Sequence, residues 1–441
     1  MDKQISTTQQ LNKLIEFRQA IYDRVLLQAR DTQFELIEAL LEGERIHSFP
    51  ELSLSGRFQR QWHSSYTAID RGKQAEETLL GLVSQQMTAD ETHVLAIDTT
   101  VWPHPQAQTL CDLFLEHSPT KGVRRAAVRG HIYSTLSWVP ETGSSWALPL
   151  SNRRMQFQQT PIEVAVEQIK ELFALEPGWF PVFVGDGHYG SHLFLGPLQH
   201  LSCAVVTKLA KNRILYKDPG GYAGFGRPRK HGHDFAFREP ETWGLPDEEQ
   251  RFHDERFGQV RLRCWDHLHG RKDAETVFSV ILAETHLENA DPDEPLWLAF
   301  QSPQPTRVTQ VWQWYQYRWS IEPSFRFRKQ DLHWTKPQFL DSRRCDTWTL
   351  LVDIAFWCLF LAKDLVPDQP FPWQKKQVSR TPGRVLKAFK TLFRDLGSLS
   401  LPPKVRGKSP GWPQGKIRSR PERFLVIART EKQRQNYQKR T

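Results

Sequence analysis

Cysteine is scarce in this 441-residue chain: Cys111, Cys203, Cys264, Cys345 and Cys358 are all it has. None forms a C-x-x-C pair and the count is odd, so the spacing indicates neither a zinc site nor a disulfide framework. Such sparing use of cysteine fits a reducing compartment. Long apolar runs are lacking as well. The N-terminus, MDKQISTTQQ, is polar and has no apolar stretch of the kind a signal peptide carries. Residues 354–362 are apolar but too few to span a bilayer, and Asp353 and Lys363 bound them, so they read as a buried core helix and no membrane partner is expected. No internal repeat is visible. Acidic residues are missing from one end: residues 374–441 hold 19 Lys and Arg against 3 Asp and Glu, although the whole chain carries only +9. A basic tail on a mildly acidic body suits a polyanionic partner, though a solvated tail would look the same.

What is present is enough to fold. At this length the chain can bury a large core and divide into two or three domains. Its 16 Trp leave aromatic surface to spare for stacking on bases. Residues 1–90 read as helical, because Leu11, Leu14, Ile15, Ile21, Val25 and Leu26 recur at near-helical spacing and Phe34 to Leu41 continue the pattern. A further helix is expected near 74–86.

From His93 the period changes. HVLAID is an apolar run ending in an acid, and HIYSTLSWVP and SWALPLS are strand-like with a turn between them. PIEVAVEQIKELFAL is an amphipathic helix with Pro161 near its start. FPVFVGDG is a buried strand ending in a second acid, followed by a short helix near 189–200 and the strand CAVVTKL. The resulting order is β-β-β-α-β-α-β across 91–209. Residues 210–305 interrupt it with a Gly/Pro/Arg-rich loop and strand candidates in QVRLRCW, TVFSVILAE and PLWLAF, a β-rich insertion. A helix then runs across 307–329, a buried helix follows near 348–363, and residues 373–441 form a basic, helical, Pro/Gly-punctuated region.

Chemistry concentrates in QWYQYRWSIEPSFRFRKQ. Tyr315, Arg318, Glu322 and Lys329 follow Y-x2-R-x3-E-x6-K, which on a helix gathers a phenol, a guanidinium, a carboxylate and an ammonium on one face. A solvated helix fits most charged segments, but here a lone carboxylate lies among phosphate-binding groups. Pro323 stands inside this helix and should kink or restart it, which leaves the placement of Lys329 open. Asp98 (AIDTT) and Asp186 (VGDGHYG) both follow apolar strands, so each is read as closing its strand, and Gly185 and Gly187 are read as leaving room for a phosphate or metal. Taken singly, each Asp reads better as a strand-terminal turn cap, and it is Glu322 in its signature that favours the catalytic reading. Asp112, Glu116, Glu163 and Glu167 are competing carboxylates, the last two reading as a solvated helix face.

The Tyr-Arg-Glu-Lys spacing, with DGHY at 186–189, resembles the signature of bacterial insertion-sequence transposases of the DDE superfamily. The resemblance covers roughly residues 90–335. It implies an α/β chain with an RNase H-like catalytic core (91–209 and 306–372) broken by the β-rich insertion (210–305). A helical N-terminal domain (1–90) would bind DNA ends or serve as a helical scaffold, and the basic region (373–441) would follow the core. It implies catalytic, metal-binding roles for Asp98, Asp186 and Glu322, with two Mg²⁺ or Mn²⁺ ions. The chemistry would be cleavage at the ends of a mobile element by water, then attack of the freed 3′-hydroxyl on target DNA. Tyr315, Arg318 and Lys329 would touch DNA phosphate. Trp297 would stack on a flipped base, against the plain alternative of a core strand Trp. Arg227 and Arg229, in GRPRK, would enter a minor groove. Arg124, Arg125, Arg129, Arg153 and Arg154 would line a DNA channel or be ordinary surface charge. The partners implied are terminal inverted repeats, target DNA and a second copy of the chain in a synaptic complex, in the cytoplasm with the nucleoid. A structure-selective nuclease of the same fold and a domesticated, non-catalytic DNA-binding protein are the alternatives.

Overall fold

The structure, a computed structural model, describes residues 6–87, 92–117, 127–176, 178–221, 227–286, 294–370, 372–373 and 379–404, with 411, 415, 417, 422–424, 426 and 427. Its centre is a sheet of twelve strands. Val94–Pro103 lies inside it and pairs in two senses. Residues 94–97 run parallel to Val182–Gly185, which runs parallel to Ala204–Lys208. On the other side residues 95–103 run antiparallel to Ala127–Trp138, which pairs with Leu148–Arg154. Helices Pro161–Leu175 and His192–Leu198 make the crossovers that parallel pairing requires. This is the RNase H-like arrangement expected from the sequence, a three-strand meander followed by alternation. All four residues of Val182–Gly185 are buried, as for a strand covered on both faces. Pro161 opens its helix, where Thr160 and Glu163 form a reciprocal capping box. Glu163 is thereby a cap and not a competing ligand.

The insertion extends the same sheet. Leu296–Gln301 pairs antiparallel with Ala204–Lys208, Asp273–His286 follows, and then come Gly258–Gly270, Ile214–Tyr216 and Asp234–Ala236. The last two are only three residues each, and Glu248–Asp254 (EEQRFHD), paired with Gly258–Gly270, has no alternating apolar face. Those are the strands a reading by periodicity misses. A short strand Phe114–His117 also escapes it; it pairs with the start of Ala127–Trp138, and Ile427 returns from the C-terminal region to bond Leu115 and Leu113.

A helical layer covers one side. Thr7–Ala20, Arg30–Leu41 and Trp62–Arg71 pack on the long helix Ser342–Leu361, whose N-cap Asp341 accepts from the Arg343 amide. Phe49 sets its ring edge-on against Tyr66, Phe339 and Trp348 at 5.0–5.3 Å, and Arg18 and Glu38 form a buried ion pair. The N-terminal helices and the sheet therefore share one hydrophobic core. Pro382–Phe389 and Phe393–Leu396 add helices at the C-terminal side, while most of the basic tail beyond 404 lies outside the described residues. No helix among the described residues is long and apolar enough to cross a membrane.

Candidate active site

Two neighbouring parallel strands bring the first two acids together. The last parallel pair is Ile97 with Gly185, and Asp98 and Asp186 are the next residues on each chain. The carboxylates therefore emerge side by side where the parallel pairing stops. Asp98 does not close its strand, contrary to the sequence reading: the strand continues to Pro103 because Ala127–Trp138 goes on pairing with it, and Asp98 lies opposite Thr135. Asp186 does end its strand, and its Oδ1 accepts from the His188 amide at 2.8 Å, holding a tight turn.

The third acid arrives on a broken helix. Val308–Gln316 carries Tyr315, a 3-10 turn Tyr317–Ser320 carries Arg318, and Ile321–Gln330 carries Glu322 in its first turn. Pro323 sits in that same first turn, where a missing amide costs little, so it restarts the helix as the sequence suggests. The 3-10 turn and Ile321–Gln330 lie against the Asp98 strand, and the turn also reaches Val182–Gly185. Arg318 then links the acids: one nitrogen donates to Glu322 Oε1 at 3.0 Å and another stands 3.9 Å from Asp98 Oδ2.

The electrostatics are those of crowded like charges. Burial and then the Asp186 charge push the Asp98 carboxyl up to about 7, with Glu322 adding and the Thr99 amide and Arg318 opposing. Burial alone would lower the Arg318 pKa, yet Tyr315, Asp98, Glu322 and Asp186 around it raise it overall. Burial raises the Tyr315 phenol, with Arg318 opposing and the Asp186 and Glu322 charges adding. Hence Tyr315, Arg318, Asp98, Asp186 and Glu322 form one electrostatic unit. Three carboxylates that repel one another offer hard oxygen donors and gain from a divalent cation, which is the donor chemistry Mg²⁺ and Mn²⁺ prefer.

The remaining sequence candidates fall elsewhere. Lys329 is turned to the Val101 carbonyl, to which its Nζ donates at 2.9 Å, and burial followed by the Arg328 charge lowers it to about 8. It thus ties the signature helix to the Asp98 strand three residues beyond the acid. Trp297 is 4% exposed, stacked on Phe237 at 4.1 Å and ringed by Phe235, Trp243 and Trp265. It is a core ring with no face open to a base, and the stacking role expected from the sequence is withdrawn. Arg227 and Arg229 are exposed in the loop between Ile214–Tyr216 and Asp234–Ala236. Those strands lie five and six places along the sheet from Val182–Gly185, roughly 24–29 Å at sheet spacing. Gly185 does not make room for a phosphate: a Cβ there would meet the buried Tyr189 ring at 3.0 Å. At Gly187 a Cβ would meet only the Lys208 carbonyl oxygen, at an ordinary contact distance of 3.8 Å.

Of the competing groups, Asp112 is engaged by Arg154 at 2.6 Å, and Arg154 also binds Asp346 at 3.0 Å, so Arg154 is a structural cation. Arg153 pairs with Glu171. Arg124 and Arg125 lie outside the described residues. Two residues of the signature segment escaped sequence reasoning. Arg328 is fully buried and donates to Asp353 at 2.7 Å, anchoring the Glu322 helix to Ser342–Leu361. Trp319 is 43% exposed beside Arg318, with the Arg256 guanidinium 5.6 Å from its ring. Their only signal was their place within the motif.

Among solved structures, the piggyBac transposase synaptic complex with hairpin DNA is similar at a TM-score of 0.41 and 11% identity, over 91% of this chain and 84% of that one. The C-terminal lobe of a budding yeast Argonaute gives 0.18 and 8% over 74% and 58% of the two chains. Kluyveromyces polysporus Argonaute with a guide RNA gives 0.18 and 7% over 70% and 32%. No curated protein matches. The family model described as DDE superfamily endonuclease matches residues 24–271, more than half of the sequence and the stretch that holds both Asp98 and Asp186, and the chain belongs to that family.

Proposed function

We propose that this protein is a DNA transposase of a bacterial insertion sequence, cutting at the element's ends and joining the 3′-hydroxyl to target DNA. The observation that carries the reading is the emergence of Asp98 and Asp186 from neighbouring strands where the parallel pairing stops, with Arg318 bridging from Asp98 to Glu322. Asp98, Asp186 and Glu322 would hold two Mg²⁺ or Mn²⁺ ions, which when bound supply an activated water or hydroxyl nucleophile and stabilise the leaving oxygen. The protein's own part is positioning. Arg318 spans two of the acids and presents a planar fork of N–H donors suited to a phosphate. Tyr315 holds Arg318 from the buried side. Lys329 is second to Arg318 as a phosphate contact, because it reaches phosphate only by leaving the Val101 carbonyl. The exposed Trp319 ring offers a flat surface of the kind on which bases stack. Arg227 and Arg229, on the distant loop, would meet a separate stretch of duplex, and the helical segment 1–90 would contact the element's ends. A second copy of the chain in a synaptic complex and a cytoplasmic, nucleoid-associated location complete the proposal.

The test is cleavage of a labelled duplex carrying the element's own ends, with Mg²⁺ or Mn²⁺, by wild type and Glu322→Gln. Metal-dependent cutting at the boundary, lost in the variant while DNA binding persists, is the expected result. Binding without cutting by wild type would favour a domesticated DNA-binding protein. Equal cutting by both would place the active site elsewhere.

A further inference from the structure

About 240 residues apart in sequence, His104 and Cys345 meet in the interior together with His131. All three are fully buried, and one ligand atom from each lies within 4.8 Å of the others. His104 directly follows the last residue of the Asp98 strand, His131 is on the antiparallel neighbour Ala127–Trp138, and Cys345 is in the first turn of Ser342–Leu361. The two rings are 4.7 Å apart, nearly perpendicular, and the His104 Nε2 stands 4.0 Å from Cys345 Sγ.

Two features set the cluster apart from an ordinary polar core. First, Nδ1 of His104 and Nδ1 of His131 have no hydrogen-bond partner although neither residue is exposed. A buried nitrogen left dry and unpaired is costly, and one on each of two neighbouring rings calls for an occupant. Second, the opposite nitrogen of His131 is already oriented: its Nε2 lies 3.0 Å from the Cys111 carbonyl and 3.1 Å from Ser342 Oγ. A carbonyl acceptor there places the proton on Nε2 and turns the Nδ1 lone pair inward, the outer-shell arrangement of metal-bound histidines.

We propose that His104, His131 and Cys345 form a structural site for a soft or borderline divalent cation, zinc first among them, distinct from the carboxylate site. Two nitrogens and a thiolate are a zinc-type donor set and a poor one for Mg²⁺. Binding exchanges the Cys345 thiol proton for the metal and releases that proton to solvent. Cys111 contributes its carbonyl to His131 and its thiol to Ser342 Oγ, 3.3 Å away, and is not itself one of the three ligands. The ion would staple the long helix to the two strands next to the acids, fixing the sheet on which Asp98 rides. Because the cluster is fully buried, the ion is taken up as the chain folds.

The experiment uses the full chain, expressed once in ordinary medium and once in zinc-depleted medium supplemented with cobalt. The expected result is about one zinc per chain by mass spectrometry of the first sample. The second should show tetrahedral cobalt bands with a thiolate charge-transfer band in the near ultraviolet. Cys345→Ser should lose the charge-transfer intensity of its thiolate, Cys358→Ser on the same helix should keep it, and Glu322→Gln should retain the metal in full. Protein that carries no zinc and takes up no cobalt would overturn the proposal, as would cobalt bound without a thiolate band. Should Cys345→Ser fail to fold, the wild-type cobalt spectrum decides alone.

Discussion

The buried pair Arg328–Asp353 offers the sharpest test of how the Glu322 helix is held. The two groups meet at 2.7 Å with Arg328 fully buried and Asp353 nearly so, and the Arg328 guanidinium also lies over the rings of Phe325 and Trp334 at 5.2 and 4.8 Å. At an effective dielectric near 20 their attraction is about 6 kcal/mol, and several kcal/mol of desolvation per ion offset it. The pair is therefore worth little net, in keeping with the Asp353 carboxyl being pushed up to about 6 by burial despite Arg328. Removing one partner is another matter. Asp353→Leu strands a guanidinium in the core and should cost about 3–5 kcal/mol, whereas Arg328→Met with Asp353→Leu should recover most of that loss. Urea denaturation followed by Trp fluorescence measures both, and the double-mutant cycle gives the coupling. The pH dependence has a definite sign. A carboxyl raised in the folded state contributes stability that is present below about pH 4 and lost as pH rises through about 6. Asp353→Asn should flatten that slope. A loss below about 1 kcal/mol for Asp353→Leu, or a double variant as unstable as the single, would refute the argument that this pair is a costly anchor rather than a surface bridge.

Two further outcomes follow from the geometry. Trp297→Ala should lower stability by about 3–5 kcal/mol in the same urea assay and leave DNA binding per folded molecule unchanged; weaker binding at full stability would return Trp297 to the DNA-contacting set. Because Asp98 holds its proton up to about pH 7, a divalent cation must displace that proton in acid, so calorimetric Mn²⁺ affinity should fall about tenfold per pH unit below 7, and a flat profile from pH 5 to 8 would show that Asp98 is not a ligand.

The order of elements was legible because the signals were local. Alternation and apolar runs marked the strands of Val94–Pro103, Ala127–Trp138, Val182–Gly185 and Ala204–Lys208, and Thr160-Pro161 with Glu163 marked a helix start. The Y-x2-R-x3-E spacing pointed to Glu322 even though the three residues occupy a helix, a 3-10 turn and another helix. The motif survives the break because its residues gather where the parallel pairing of two strands stops, which a helical wheel does not describe.

Tertiary structure decided what depends on distant neighbours. Whether Trp297 faced a base or a core depended on Phe235, Phe237, Trp243 and Trp265 closing around it. Whether Lys329 was free depended on a carbonyl 228 residues away. Arg328 looked like one more surface charge until Asp353, 25 residues on, was found opposite it in the core. Cysteine spacing argued against a zinc site, and by local rules it was right, since no two cysteines stand at ligand spacing. The candidate His104–His131–Cys345 cluster exists only because the sheet and the long helix pack together, joining residues that the chain keeps far apart. Sequence determined which segments form strands and helices and where the acids enter, because periodicity and capping act over a few residues. Burial and pairing of each charged or aromatic side chain were left to the packing, because they are properties of the surroundings and not of the residue.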